Sequence, residues 1–152
     1  PSLFAMLVLD VLDQALPIAQ QKRIELLHDM DEQSQERLVS ADQGLLTRAL
    51  FNLLENAIKY SPADTTIQLR VTCQDDWLRC ELIDQGKGIA AEELPDLFSQ
   101  YRRFSSAQGI DGVGLGLSMV KAVVDHHGGR IECRSVVDQG TTFRLELPLF
   151  IE

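Results

Sequence analysis

Apolar side chains at Leu3, Met6, Leu7, Leu9, Val11, Leu16 and Ala19 recur at helical spacing, and Ser2 stands where a capping hydroxyl belongs. The pattern predicts a helix from about Leu3 to Gln20, with Pro17 as a point of bending. Ile24–His28 and Glu36–Ser40 read as short strands around a polar loop. The helical period returns from Asp42 to Tyr60 and is stopped by Ser61-Pro62. Thr65–Cys73 and Trp77–Asp84 are β-rich and form a hairpin across Gln74-Asp75-Asp76. A short helix near Glu92–Phe98 precedes a polar, glycine-bearing loop from Ser99 to Gly114. Leu115–His127 is helical and ends at Gly128-Gly129. Ile131–Val137 and Thr141–Leu147 make a last hairpin across Asp138-Gln139-Gly140. No repeat or linker interrupts this order. Two hairpins and three main helices predict an α+β domain, an antiparallel-rich sheet with helices on one face.

The 152 residues suit one domain, and 45% hydrophobic residues suffice for a real core. A formal charge of −9, spread over both halves, disfavours a general nucleic-acid binder. Three cysteines (Cys73, Cys80, Cys133) are too few for a disulfide scaffold and fit no common metal spacing. They read as buried, reduced thiols on strands, and so as a reducing, cytoplasmic setting. The apolar run Phe4–Leu9 is too short to span a bilayer, and no basic segment precedes it. No membrane contact is expected of this domain, and the anchor of a membrane-bound parent would lie outside this chain.

Within the helix over Asp42–Tyr60, Leu46, Leu50, Leu53 and Ala57 fall in one narrow stripe. Arg48, Asn52, Glu55, Asn56 and Lys59 fall on the opposite side. A solvated back accounts for part of that side, but two mid-helix asparagines are weak helix formers. Four residues apart, their amides project side by side, and amide oxygens are hard, neutral ligands suited to Mg²⁺. Glu55 beside them could act as a base, and Lys59 could meet a phosphate. In Leu78–Asp84, alternation puts Leu78, Cys80 and Leu82 on one face with the carboxylate of Asp84. Asp84 opens Asp84-Gln85-Gly86-Lys87-Gly88-Ile89. It is either a local turn aspartate or a partly buried acceptor for a ligand N–H. Asp111-Gly112-Val113-Gly114-Leu115-Gly116-Leu117 offers free N–H groups to an anion at a helix start. Neither a Rossmann nor a P-loop context surrounds it. Arg102 and Arg103, beside Phe98, Tyr101 and Phe104, are surface charge or a pair reaching a terminal phosphate.

Taken in order, these pieces resemble the ATP-binding catalytic domain of sensor histidine kinases, in the superfamily of DNA gyrase, heat-shock chaperones and mismatch-repair ATPases. Asn52-Leu53-Leu54-Glu55-Asn56-Ala57-Ile58-Lys59-Tyr60-Ser61-Pro62 is similar to the N box, and Asp84–Ile89 to the first glycine box. Leu97-Phe98 through Phe104 resembles the F box, and Gly112–Leu117 the second glycine box. His127-Gly128-Gly129 and Gly140-Thr141-Thr142-Phe143 resemble the closing elements.

The resemblance implies a two-layer α+β sandwich of the Bergerat type, three helices over a mixed sheet, with ATP under a flexible lid. It implies that Asn56, supported by Asn52, holds Mg²⁺ and that Glu55 helps activate an acceptor histidine. Lys59 would touch phosphate, and Tyr60 would lie against adenine. Asp84 would accept the adenine amino group. Gly86, Gly88 and Ile89 would bring the backbone to the nucleotide. Arg102, Arg103, Gly112, Gly114, Leu115, Gly116 and Leu117 would shape lid and phosphate contacts, with Thr141 near adenine. The implied reaction passes the γ-phosphoryl group of Mg-ATP to a histidine on a separate dimerisation domain, and a response-regulator receiver domain is the indirect partner. None of His28, His126 and His127 has the setting of such an acceptor. Competing readings are an ATP-gated clamp, an anti-sigma-type serine kinase and a non-catalytic ATP switch.

Overall fold

The computed structural model describes residues 1–88 and 113–150. The elements run β1 (Ser2–Leu3), α1 (Phe4–Gln21), β2 (Glu25–Met30), α2 (Glu32–Gln35), β3 (Leu38–Val39) and α3 (Gln43–Tyr60). Then come β4 (Thr66–Gln74), β5 (Trp77–Asp84), α4 (Val113–His126), β6 (Arg130–Val136) and β7 (Gly140–Pro148). A five-stranded sheet has the order β2-β4-β5-β7-β6, and β1 pairs with β3 separately. Among the described residues, only the β2–β4 pairing within the large sheet is parallel. The expected antiparallel-rich sheet with helices on one face is the observed one.

Strand alternation makes the two layers. Ile67, Leu69 and Val71 of β4, Leu78, Cys80 and Leu82 of β5, and Phe143, Leu145 and Leu147 of β7 are all buried. Phe4, Leu7, Val8, Val11, Ala15 and Ala19 give α1 a matching stripe, and Leu46, Ala49, Leu50, Leu53 and Leu54 do so for α3. The other sheet face carries cross-strand ion pairs, Arg79 with Glu146 at 3.3 Å and Arg144 with Glu81 at 3.4 Å. The β4–β5 turn closes on the Gln74–Trp77 pair, with Asp75 at φ 56°.

Several local expectations are corrected. Ser2 does not cap α1. It is buried in β1 opposite Val39, and the capping position falls to Leu3, which makes no side-chain cap bond. The strand expected over Glu36–Ser40 shrinks to Leu38–Val39. The polar loop before it contains α2, whose cap is Asp31: its side chain accepts from the Ser34 N–H at 2.8 Å. Four residues are too few to show a helical period, although Asp31 followed by Glu32 is a helix-start signal. Finally, α4 begins at Val113, two residues before the expected start.

Candidate functional site

The site forms where α3, the end of β5 and the start of β7 converge. Asp84 ends β5 on the helix-facing side, 7% exposed, paired in register with Thr141, which is equally buried. Its Oδ1 accepts from the Gly86 N–H at 2.9 Å and the Thr141 N–H at 3.2 Å. Both bonds use Oδ1, so among the described residues Oδ2 remains available to an incoming donor. Burial pushes the Asp84 pKa up from 3.8, and the two backbone N–H groups counter only part of that rise. A carboxylate kept in a place that disfavours its charge is a candidate ligand group.

Beside it, the Ser135 hydroxyl bonds the Gly140 carbonyl at 3.0 Å and shares a 2.8 Å hydrogen bond with the Thr141 hydroxyl. Ser135 is a site residue that periodicity gives no reason to single out, because only the β6–β7 register brings it here. Cys133 lies near enough that Asp84 affects it: burial first, then that charge, push its thiol up to about 12. Burial and Glu81 likewise push Cys80 to about 12. These two thiols stay protonated at neutral pH, and none of the three cysteines forms a disulfide.

Two glycines allow the close approaches that shape the pocket. A Cβ on Gly86 would stand 2.7 Å from the Tyr60 carbonyl oxygen. Gly140 has φ +114°, and a Cβ there would collide with the Asp84 carbonyl oxygen. The turn after Asp84 is also held from β7's side, because the Asp138 N–H donates to the Lys87 carbonyl at 2.7 Å. Gly88 packs against the Val136 backbone in the same place.

On α3, Asn56 does not share the solvated back expected for it; it is 9% exposed. At 100° per residue it lies at the border of the apolar stripe, and packing closes over that border. Its Nδ2 is buried and has no hydrogen-bond partner among the described residues. An orphaned buried amide costs about 1–3 kcal/mol, which argues for a ligand to meet it. Asn52 and Glu55 are half-buried and Lys59 is exposed, with its Nζ 3.9 Å from Glu55 Oε1. Tyr60 is partly buried against the core. Lys22, at the end of α1, donates to the carbonyls of Ile58 and Lys59 at 2.9 and 2.7 Å. It thereby satisfies two carbonyls that a helix end leaves open. Desolvation, then the Lys87 charge, lower its pKa.

Gly114, Leu115 and Gly116 lie inside the first turn of α4 rather than before the helix. The first N–H groups of a helix remain open there, so the change moves the donors without removing them. Leu117 is 3% exposed and belongs to the core. Ile89, Arg102, Arg103 and Gly112 lie outside the described residues, as do the short helix expected near Glu92–Phe98 and the lid. Among the described residues, no cluster of three or more His, Cys, Asp or Glu could hold a metal by itself.

A family model described as histidine kinase-, DNA gyrase B-, and HSP90-like ATPase matches residues 41–151. The adaptive-response sensory kinase SasA of Gloeothece citriformis is 33% identical over 147 residues, 95% of this chain and 36% of that protein. The sensor protein KdpD of Clostridium acetobutylicum is 36% identical over 115 residues, 73% of this chain and 13% of that protein. The chain thus spans little more than a third of these curated relatives at most. Among solved structures, the mycobacterial sensor histidine kinase MprB superposes with a TM-score of 0.81 at 30% identity, covering 95% of this chain and 97% of that one. Full-length ShkA in complex with AMPPNP gives 0.85 at 27% identity, over 100% of this chain and 31% of that one. The matched span 41–151 takes in all of α3, β5 and β7, the elements that converge on Asp84, and the chain belongs to the family of histidine kinase-, DNA gyrase B- and HSP90-like ATPases.

Proposed function

We propose that this domain binds Mg-ATP and passes the γ-phosphoryl group to a histidine carried by a separate phosphoacceptor domain of the same parent protein. The observation that carries the reading is Asp84, a buried carboxylate with one oxygen anchored by backbone N–H groups and the other open. Its open Oδ2 suits the exocyclic amine of adenine and would repel the carbonyl that guanine presents there. The ATP analogue in the ShkA complex supports a nucleotide ligand.

Asn56 and Asn52 fit a metal that arrives with phosphates through their neutral amide oxygens, and the buried Asn56 Nδ2, without a partner among the described residues, would donate to a phosphate oxygen. Bound there, Mg²⁺ would neutralise phosphate charge as the terminal group departs. The chain's own work is positioning. Glu55, one residue from Asn56 on the half-exposed side of α3, would take the proton of an incoming imidazole. Lys59 pairs with Glu55 and would also meet phosphate, so nucleotide and acid would compete for its ammonium. The open N–H groups at the start of α4 would meet the same anion.

Among the described residues, no helix is long and apolar enough to cross a membrane. The reading sets the domain in the cytoplasm, where ATP is available, with a response-regulator receiver domain as the downstream recipient. An anti-sigma-type serine kinase is the alternative that the same boxes allow. Incubation with γ-labelled ATP and the phosphoacceptor domain separates them. Histidine transfer gives acid-labile label on the partner and none on this chain alone, whereas acid-stable label contradicts the proposal. His127 is held between the Asp42 N–H and the Val123 carbonyl, which occupies both its ring nitrogens.

A further inference from the structure

A groove of about 1040 Å³ runs between α1 and α3, away from Asp84. Met6, Leu9, Asp10 and Asp13 form its α1 wall, with Arg48 and Phe51 opposite on α3. Met6 is 61% exposed and Leu9 51%, and Met6 is the most exposed large apolar side chain among the described residues. Spacing puts Met6, Leu9, Asp10 and Asp13 on one face of α1, so the stripe that meets water is half apolar and half acidic. The core does not need it, since the inward stripe of α1 is complete without these positions. The charges are equally uncommitted: Asp10, Asp13 and Arg48 make no ion pair among the described residues.

The groove also leads to the chemistry. Phe51 adjoins Asn52 and lies one helical turn from Glu55, about 6 Å along the axis. Anything seated against Arg48 and Phe51 therefore ends beside the acid that would receive the imidazole proton. Transfer demands that the acceptor be held in line, and a neighbouring apolar groove supplies that hold.

We propose that the α1–α3 groove docks an amphipathic helix of the phosphoacceptor domain. Its apolar side chains enter between Met6, Leu9 and Phe51, its basic residues face Asp10 and Asp13, and an acidic residue faces Arg48. This rests on the kinase reading above and adds to it the surface that selects the partner.

The test is transfer from γ-labelled ATP to the parent's phosphoacceptor domain, supplied as a separate polypeptide, with KM for that domain measured. Met6→Glu combined with Leu9→Glu should raise this KM at least tenfold while ATP affinity and the far-ultraviolet spectrum stay as in the wild type. Asp10→Lys combined with Asp13→Lys should do the same. Leu27→Glu, at an exposed apolar site on β2, should leave KM unchanged. Unchanged KM in both groove variants, with active wild type, overturns the docking surface and leaves the kinase reading standing. If the groove variants abolish self-association of this chain in sedimentation without moving KM, the occupant is a second copy and the proposal is wrong. Absence of any transfer by the wild type removes the kinase reading and the proposal with it.

Discussion

The ammonium of Lys22 lies 2.7 Å from the main-chain carbonyl of Lys59, joining the last turn of α1 to the last turn of α3. A second bond, to Ile58 at 2.9 Å, completes the clasp. That end of α3 carries Asn56, Lys59 and Tyr60, so the clasp fixes the residues expected around the nucleotide. Lys22→Met keeps the aliphatic stem and removes the donors. It should lower stability by about 1 kcal/mol, since the group is partly solvated, and weaken ATP binding several-fold. Urea denaturation and ATP titration measure the two effects. Lys22→Arg should restore most of both, whereas equal loss in Met and Arg variants would point to packing of the stem alone.

Asn56→Ala should uncouple metal from nucleotide. In the wild type Mg²⁺ should tighten ATP binding, and in the variant that enhancement should shrink while affinity without metal changes little. Stability of the ligand-free domain should hold or rise, because an orphaned buried amide is removed. Asn52→Ala should act in the same direction but more weakly. Equal Mg²⁺ enhancement in Asn56→Ala and wild type would exclude Asn56 as a ligand.

Gly140→Ala should destabilise the domain by about 1–3 kcal/mol, because a side chain would have to adopt φ +114° and meet the Asp84 carbonyl. Gly86→Ala should weaken ATP binding more than it lowers thermal stability. Its contact with the Tyr60 carbonyl can relax by moving the turn, and that turn borders the pocket. Calorimetric melting with and without ATP distinguishes the two outcomes; wild-type behaviour of Gly140→Ala would contradict the geometry.

Asp84 gives a pH prediction with a definite sign. Its folded pKa lies above 3.8, so just above that pH the folded domain holds a proton that the unfolded chain has released. Stability contributed by this group is therefore present at low pH and declines as pH rises through its folded pKa. Asp84→Asn keeps an oxygen for the Gly86 and Thr141 N–H groups and deletes the buried charge. At neutral pH the ligand-free variant should be the more stable of the two, and the difference should vanish toward acid. Denaturation of both proteins from pH 4 to 8 reads this; a variant less stable at neutral pH would contradict it.

Much of this site is legible in the sequence. The period-two run Leu78, Cys80, Leu82 ends in Asp84, and a carboxylate closing an apolar face marks itself. The two asparagines stood out because mid-helix positions rarely favour them. Lys22 was illegible, because its partners lie 36 and 37 residues away and only packing of α1 on α3 joins them. Ser135 and Asp138 acquire roles through strand register and a turn, which composition does not encode. The burial of Asn56 turned on its angular position at the stripe's border, where a wheel diagram does not decide between solvent and core.

The account stands most directly on the affinity of Asp84→Asn for ATP, measured by titration calorimetry beside the wild type at neutral pH. An amide that turns its own N–H₂ toward the adenine amine sets two donors face to face in a buried site, at a cost of about 2–3 kcal/mol. The predicted result is ATP binding by the wild type, little binding of GTP, and a loss of ATP affinity of that size in a variant that melts no lower than its parent. Wild-type ATP affinity in Asp84→Asn would contradict the adenine assignment and the nucleotide pose built on it.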